Sequence, residues 1–251
     1  MSDLIEAKAE GAAAAGRPWV LPVVATALVA GLAVYLRTAP LDSIETRLLD
    51  TDEILARTAE HIRLVAVSTV AVIAIAVPLG VLLTRRWARV LGVPVLAVAS
   101  AGQAVPSIGV LVLLVILFDT GFWMAVIALV AYAALPVLRN TMVGLRQVDR
   151  ATIDAGRGMG MSRRQVLVRI ELPLAVPVIL AGVRVALILN VGVATLATYT
   201  NAGGLGSLIE RGIVFNRMPV LLAGSVLTVT LALFIDWFAG IGERTLRPRG
   251  L

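Results

Sequence analysis

The chain has 251 residues, of which 59% are hydrophobic and only 15% charged, and its mean hydropathy is +0.94. A soluble domain carries about 25% charged residues, and a soluble fold of this size could not bury so much apolar surface, so lipid is the expected solvent for most of the chain. The formal net charge of +6 points to the membrane rather than to nucleic acid, because the arginines cluster between apolar runs and no basic stripe carries stacking aromatics.

The residue inventory removes several kinds of chemistry. There is no cysteine, which excludes disulfides, thiolate metal sites and cysteine nucleophiles. The single histidine, His61, stands beside Glu60 and near Arg63, and is expected to be an interfacial residue at a helix start rather than a ligand. The only lysine, Lys8, is not inside a GxxxxGK[ST] sequence, so the chain is not a P-loop ATPase. The glycine clusters at 156–160 and 203–206 do not fit GxGxxG either. No catalytic residue, metal site or cofactor is predicted.

A spanning helix needs about 20 apolar residues. In chain order the candidate spans are 19–36, 64–84, 90–118, 120–138, 172–199 and 218–240. The first is read as a retained helix and not a signal peptide, because Asp3, Glu6 and Glu10 precede it and its apolar run exceeds the usual length. The third is long and interrupted by Gly102, Pro106 and Gly109, with a kink expected at the proline. The fifth contains Arg184, and the sixth has Asp236 near its end. Trp19, Trp87, Trp123 and Trp237 fall near span ends, where tryptophans anchor the interface.

Loop charge orients the spans. Residues 38–60 are acidic and read as outside, as do 119–121 and 200–217; Arg85, Arg86 and Arg89, and the arginine-rich stretch 139–171, read as inside. Six helices with both termini in the cytoplasm satisfy every loop. The corresponding division is 1–60 for an N-terminal cytoplasmic segment, first helix and outer loop, 61–240 for the transmembrane domain, and 241–251 for a cytoplasmic tail.

Within 139–171 the pattern is that of a helix–turn–helix. Asp149 can cap a short helix from about residue 150, Gly158 and Gly160 break it, and Ser162 with Gln165 forms a capping box for a second. Val166, Leu167 and Ile170 give the second helix an apolar stripe, and Pro173 falls where the next membrane helix starts. Local physics alone leaves two occupants open for this hairpin, anionic membrane lipid or a protein partner.

Several polar residues lie inside apolar runs. Arg184 falls roughly 16 Å along a helix from Pro173 and needs a partner or water at that depth; Asp236 on the last helix is the expected partner. The pair can be a lock between two helices or part of a polar pathway lining. Gln103, Ser107 and Asn190 are expected to bond neighbouring helices, with a pathway role as the alternative. Tyr199, with Tyr132 and Phe234, is one of few aromatics away from the interfaces, too few for a convincing cage around a quaternary ammonium.

The run Asp154-Ala155-Gly156, three residues, Gly160, nine residues, Ile170, one residue, Leu172-Pro173 resembles the EAA loop of bacterial ABC importer permeases, E-A-A-x3-G-x9-I-x-L-P, without a gap. Asp154 replaces Glu and keeps the charge; Gly156 replaces the second Ala, at a helix cost of about 1 kcal/mol. The resemblance implies an all-α permease subunit of a type I importer. It further implies that the loop, through Asp154, Ala155, Gly156, Gly160, Ile170, Leu172 and Pro173, forms coupling helices in a groove of a separate ATP-binding cassette ATPase. A second permease subunit, the same chain or a paralogue, would complete the channel, and an extracytoplasmic substrate-binding protein would dock outside. The stretches LPVLRNTMVGLRQVD at 135–149, ELPLAVPVILAGVRVA at 171–186 and ATLATYTNAGGLG at 194–206 are similar to permeases for glycine betaine, carnitine and choline, although Gly-Gly-Leu-Gly also occurs in methionine and phosphonate permeases. The competing readings are an ABC permease for an amino acid or other small solute, an ion-coupled secondary transporter in which only Asp236 could carry a proton, and a membrane scaffold.

Overall fold

The computed structural model describes residues 19–246, and within them every regular element is helical. The chain opens with α1, Val20–Thr38, and a short α2, Ser43–Leu48. The Asp42 side chain accepts the N–H groups of Ile44 and Glu45, and Glu45 returns a bond to the Asp42 N–H, so α2 begins at a reciprocal capping box. The long helix α3 spans Thr51–Thr84, 34 residues. It starts thirteen residues before the apolar run at 64, a stretch expected as loop. Asp50 caps it, and Asp52 and Glu53 in the first turn complement the helix dipole. Arg57 then bonds Glu53 one turn back and Glu60 one turn on, which carries the helix through its polar segment.

After a single 3₁₀ turn, Arg89–Leu91, come α4, Gly92–Ala104, and α5, Ser107–Leu117. The expected third span, 90–118, is therefore not one kinked helix: its two halves meet at 93°. Val105 is extended at φ −73°, ψ 132° and Pro106 stands as the cap of α5. Proline has no N–H to give and its ring pushes the preceding residue out of the helical region, so the ladder stops here instead of bending. Among the described residues five helices are long and apolar enough to cross a membrane, and six if the bent pair counts as one span.

Helix α6 covers Phe122–Gln147 and so extends past the apolar run ending at 138. It is followed by α7, Arg150–Gly158, then α8, Arg163–Val166, a π-helical turn over Leu167–Glu171, and α9, Leu172–Ala194. A 3₁₀ segment, Thr195–Thr200, leads to α10, Gly206–Val214, and the long α11, Met218–Leu246.

Helices α3, α6 and α9 pack against one another and hold the core, with α11 against α9 and α1 against α11. Missing side chains set the approach. A Cβ on Gly182 of α9 would stand 2.8 Å from the Pro136 carbonyl oxygen and 2.7 Å from Asn140 Cβ of α6, and one on Gly80 of α3 would stand 2.8 Å from Thr141. Small residues at such crossings let membrane helices touch along their backbones. Leu64, Leu111, Leu129 and Val191 fill one part of the core, and Val72, Leu83, Val137, Met142 and Ala186 another. In contrast, α4 and α5 present exposed apolar faces, with Val98 and Ile116 about three-quarters accessible, as expected of surfaces that meet lipid or another subunit.

Candidate coupling hairpin and its supporting pairs

The hairpin is built from its caps. The Asp149 side chain accepts the Ala151 N–H at 3.3 Å and opens α7. At the other end of α7, the Met161 N–H reaches the Gly156 carbonyl at 3.1 Å and the Gly160 N–H reaches Arg157 at 2.9 Å. Gly160 sits at φ +85°. These are the two bonds and the left-handed residue of a Schellman closure, in which glycine avoids the Cβ penalty. The Ser162 hydroxyl then accepts the Gln165 N–H at 3.3 Å while the Gln165 side chain accepts the Ser162 N–H at 2.8 Å, the reciprocal box expected at this point.

The residues of the EAA-like run divide by position. Asp154, Ala155 and Gly160 are exposed, together with Arg157, Gly158 and Met159, so they form one accessible tip. Arg157 and Asp154 approach to 3.8 Å on that surface, a pair exposed enough to add little stability. Gly156 is buried, and a Cβ there would meet Ile170 Cδ1 at 2.5 Å. An alanine methyl here would require the end of the Ile170 side chain to move aside. Leu172 and Pro173 begin α9. No break precedes them, since the helical path runs from Arg163 to Thr200. The π turn over Leu167–Glu171 widens the backbone immediately before Pro173, a place where a ring would otherwise press on the carbonyl four residues back.

A second feature joins the hairpin to the core. Arg85, the residue that ends α3, donates to Glu171 Oε2 at 2.6 Å and Oε1 at 3.4 Å. Glu171 is buried, with only 8% of its side chain accessible. By sequence both stand among loop charges, and nothing in a spacing of 86 residues marks them as a pair.

Arg184 and Asp236 do meet. The guanidinium donates through Nε to Asp236 Oδ1 and through Nη2 to Oδ2 at 2.9 Å. Nη1 also lies 3.6 Å from Glu243 Oε2, a carboxylate the sequence reading had not placed here. The other polar residues are held separately. Asn190 donates to Thr69 Oγ1 at 3.0 Å between α9 and α3, and Gln103 donates to the Tyr132 carbonyl at 2.7 Å. Ser107 lines a small pocket at the α4–α5 bend with Gly102, Val110, Ala128, Tyr132 and Val193. Tyr199 is half-exposed on the 3₁₀ segment.

His61 is fully buried, which corrects the interfacial position expected for it: α3 begins ten residues earlier and carries it into the core. Its Nε2 is 3.1 Å from the Val191 carbonyl and donates there. Above it runs the glycine turn. Gly203 and Gly204 have φ of +78° and +89°, and a Cβ on Gly203 would collide with the Glu60 carboxylate at 2.3 Å. Glu60 accepts the Gly204 N–H at 2.9 Å, and Glu53 meets Arg211 of α10 at 3.0 Å.

Comparison with known proteins places these features. The chain is 39% identical over 198 residues to the carnitine transport permease protein OpuCB of Listeria monocytogenes, which covers 79% of this chain and 90% of that one. It is 37% identical over 199 residues to the choline transport system permease protein OpuBB of Bacillus subtilis, covering 79% and 91% respectively. It is 36% identical over 217 residues to the osmoprotectant import permease protein OsmW of Salmonella typhimurium, covering 84% and 100%. Among solved structures, a chain of the inward-facing MetNI methionine ABC transporter, in its CY5 native crystal form, superposes with a TM-score of 0.71 at 25% identity. That match covers 83% of this chain and 100% of the other. Residues 76–248 match the family described as binding-protein-dependent transport system inner membrane component, and the chain belongs to it.

Proposed function

We propose that this chain is the channel-forming subunit of an ATP-driven importer for a small quaternary-ammonium osmoprotectant of the betaine, choline or carnitine kind. In the assembled importer two permease subunits enclose the pathway, separate ATPase subunits hydrolyse ATP, and an extracytoplasmic binding protein delivers the solute. The observation that carries the reading is the hairpin: a rigid, doubly capped helix pair whose exposed tip presents Asp154, Ala155 and Gly160. Such a tip suits a groove on a partner, because a short rigid helix seated in a groove passes on a rigid-body displacement. Ile170 supports the tip from below by packing on Gly156, and Leu172 and Pro173 root it in α9. The orientation that fits has the hairpin and both termini in the cytoplasm and residues 61–240 as the transmembrane domain.

The substrate class rests on the relatives. Three of them, at 36–39% identity over most of the chain, carry carnitine, choline or osmoprotectant in their names. Arg184, Asp236, Gln103, Ser107, Asn190 and Tyr199 remain candidates for the pathway wall, although Arg184, Asp236, Gln103 and Asn190 already bond across helices and Ser107 lines the bend.

The test is retention of the ATPase subunit. Gly160→Val forces a β-branched residue into the left-handed region, and Asp154→Lys reverses the charge at the tip. Each is expected to insert normally in the membrane, to lose the co-purifying ATPase subunit, and to abolish uptake of a radiolabelled osmolyte. Full ATPase binding and transport in both variants would remove the coupling role from this hairpin.

A further inference from the structure

Helix α3 is one helix of 34 residues with Pro78 in its last two turns, about 50 Å at the rise of an α-helix; the proline removes one ladder bond without ending the helix. Both of its ends are gripped by elements far away in sequence. At the Thr84 end, the Arg85 guanidinium serves two purposes. Its Nε donates to the Val81 carbonyl at 3.2 Å and its Nη2 to Thr84 Oγ1 at 3.0 Å, closing the last turn of α3. Its two Nη atoms hold the buried Glu171 carboxylate. Glu171 closes the π turn that leads from the hairpin into α9. At the other end, Glu60 takes the Gly204 N–H and Glu53 takes Arg211, so the first turns of α3 hold the glycine turn and α10.

We propose that α3 is the strut by which displacement of the hairpin reaches the glycine turn at 203–204 and α10 at the opposite end of the molecule, with Arg85 and Glu171 as the positioning pair that ties it to the hairpin. The proposal rests on the reading that the hairpin docks the ATPase. Its physical basis is the π turn. A π turn is a local widening of the helix and gives way more easily than the α-helix on either side. Left alone, it would absorb a push on the hairpin. Ile170, packed on Gly156 of α7, carries the push directly to the end of the turn, and the bidentate pair fastens the next residue, Glu171, to α3; a charge-assisted pair with a buried carboxylate is stiff and costly to break. At the far end the connection is short. The Glu60 carboxylate fills the space beside Gly203 that a side chain would need, so the glycine turn cannot slide across the end of α3 without losing that contact.

The experiment uses the assembled transporter, with its ATPase and binding protein, in proteoliposomes. The chain has no cysteine of its own, so with partner subunits freed of cysteine the introduced thiols report alone. Ala202→Cys, next to the glycine turn and packed on the core, is labelled with an impermeant maleimide with and without ATP. In the otherwise native chain its labelling rate should change with ATP. In Glu171→Gln the ATPase subunit should stay bound and hydrolyse ATP within about threefold of the native rate, while uptake per ATP falls at least about tenfold and the ATP-dependent change at Ala202→Cys disappears. The pair Arg85→Cys with Glu171→Cys, assayed for uptake per ATP without the reporter thiol, should be uncoupled when reduced. It should recover when its two thiols are bridged by a short bifunctional thiosulfonate. This arm restores the connection without restoring the charges, so it separates a tether from a general loss of fold. Native labelling behaviour in Glu171→Gln, or a bridged pair that stays uncoupled, would overturn the strut. Failure of the docking reading looks different: there, Asp154→Lys and Gly160→Val keep the ATPase subunit bound.

Discussion

Arg184 faces two carboxylates of α11, Asp236 through two hydrogen bonds and Glu243 at 3.6 Å. Replacing it with alanine removes the ion-pair partner that both carboxylates share among the described residues. The guanidinium is about one-third accessible, so the loss is screened in part, and we expect about 1–3 kcal/mol. The double change Arg184→Ala with Asp236→Ala should be less destabilised than the sum of the two single changes, but should not return to native stability, because Glu243 remains. Thermal unfolding of the three variants in detergent measures this; additive losses would mean that the pair contributes no coupling energy. This pair was readable in the sequence because a charge inside an apolar run must find its opposite inside another. Arg85 and Glu171 were not readable for the converse reason. Both lie in stretches rich in charge, where water is the default partner, and only folding brings Glu171 out of it. Glu243 escaped notice in the same way, since the last helix was expected to end near residue 240 and instead continues to Leu246.

At the level of elements, apolar runs located the membrane helices well and their ends poorly. Helices α3 and α6 extend nine to thirteen residues beyond their apolar runs, because capping, dipole and ion-pair terms continue a helix after hydrophobicity stops. The hairpin was legible almost residue by residue, since Asp149, Gly160, Ser162 and Gln165 are each chosen for a backbone geometry rather than for burial. What patterning could not show was the π turn, which has no composition of its own. The capping box gives the hairpin a measurable weak point. Ser162→Ala removes the acceptor for the Gln165 N–H and should cost about 1 kcal/mol locally. Amide hydrogen exchange over residues 163–170 should quicken about fivefold, while α3 and α6 keep their protection. Unchanged exchange in that stretch would show that tertiary packing, and not the cap, holds α8.

For the molecule as a whole, the absence of native thiols makes its orientation directly testable. Single cysteines at Ser43 and Ser162 should react with an impermeant maleimide from opposite sides of the membrane, and labelling of both from one side would rule out the orientation proposed here. Substrate selection should lie outside this subunit. Tyr132 and Tyr199 offer no aromatic cage, and Tyr132 already receives Gln103 at its backbone. The purified subunit is therefore expected to bind betaine, choline or carnitine with a Kd above about 1 mM; calorimetry returning micromolar values would move selectivity into the membrane. The bend between α4 and α5 has a further consequence. Neither half reaches across a bilayer, at 13 and 11 residues, and between them the chain is non-helical at Val105, with residues 104–106 exposed. Acyl chains cannot solvate open backbone. The corner at Pro106 must then abut water or protein in the working assembly, and a solitary copy of this chain carries there a stretch of surface that no bilayer can wet.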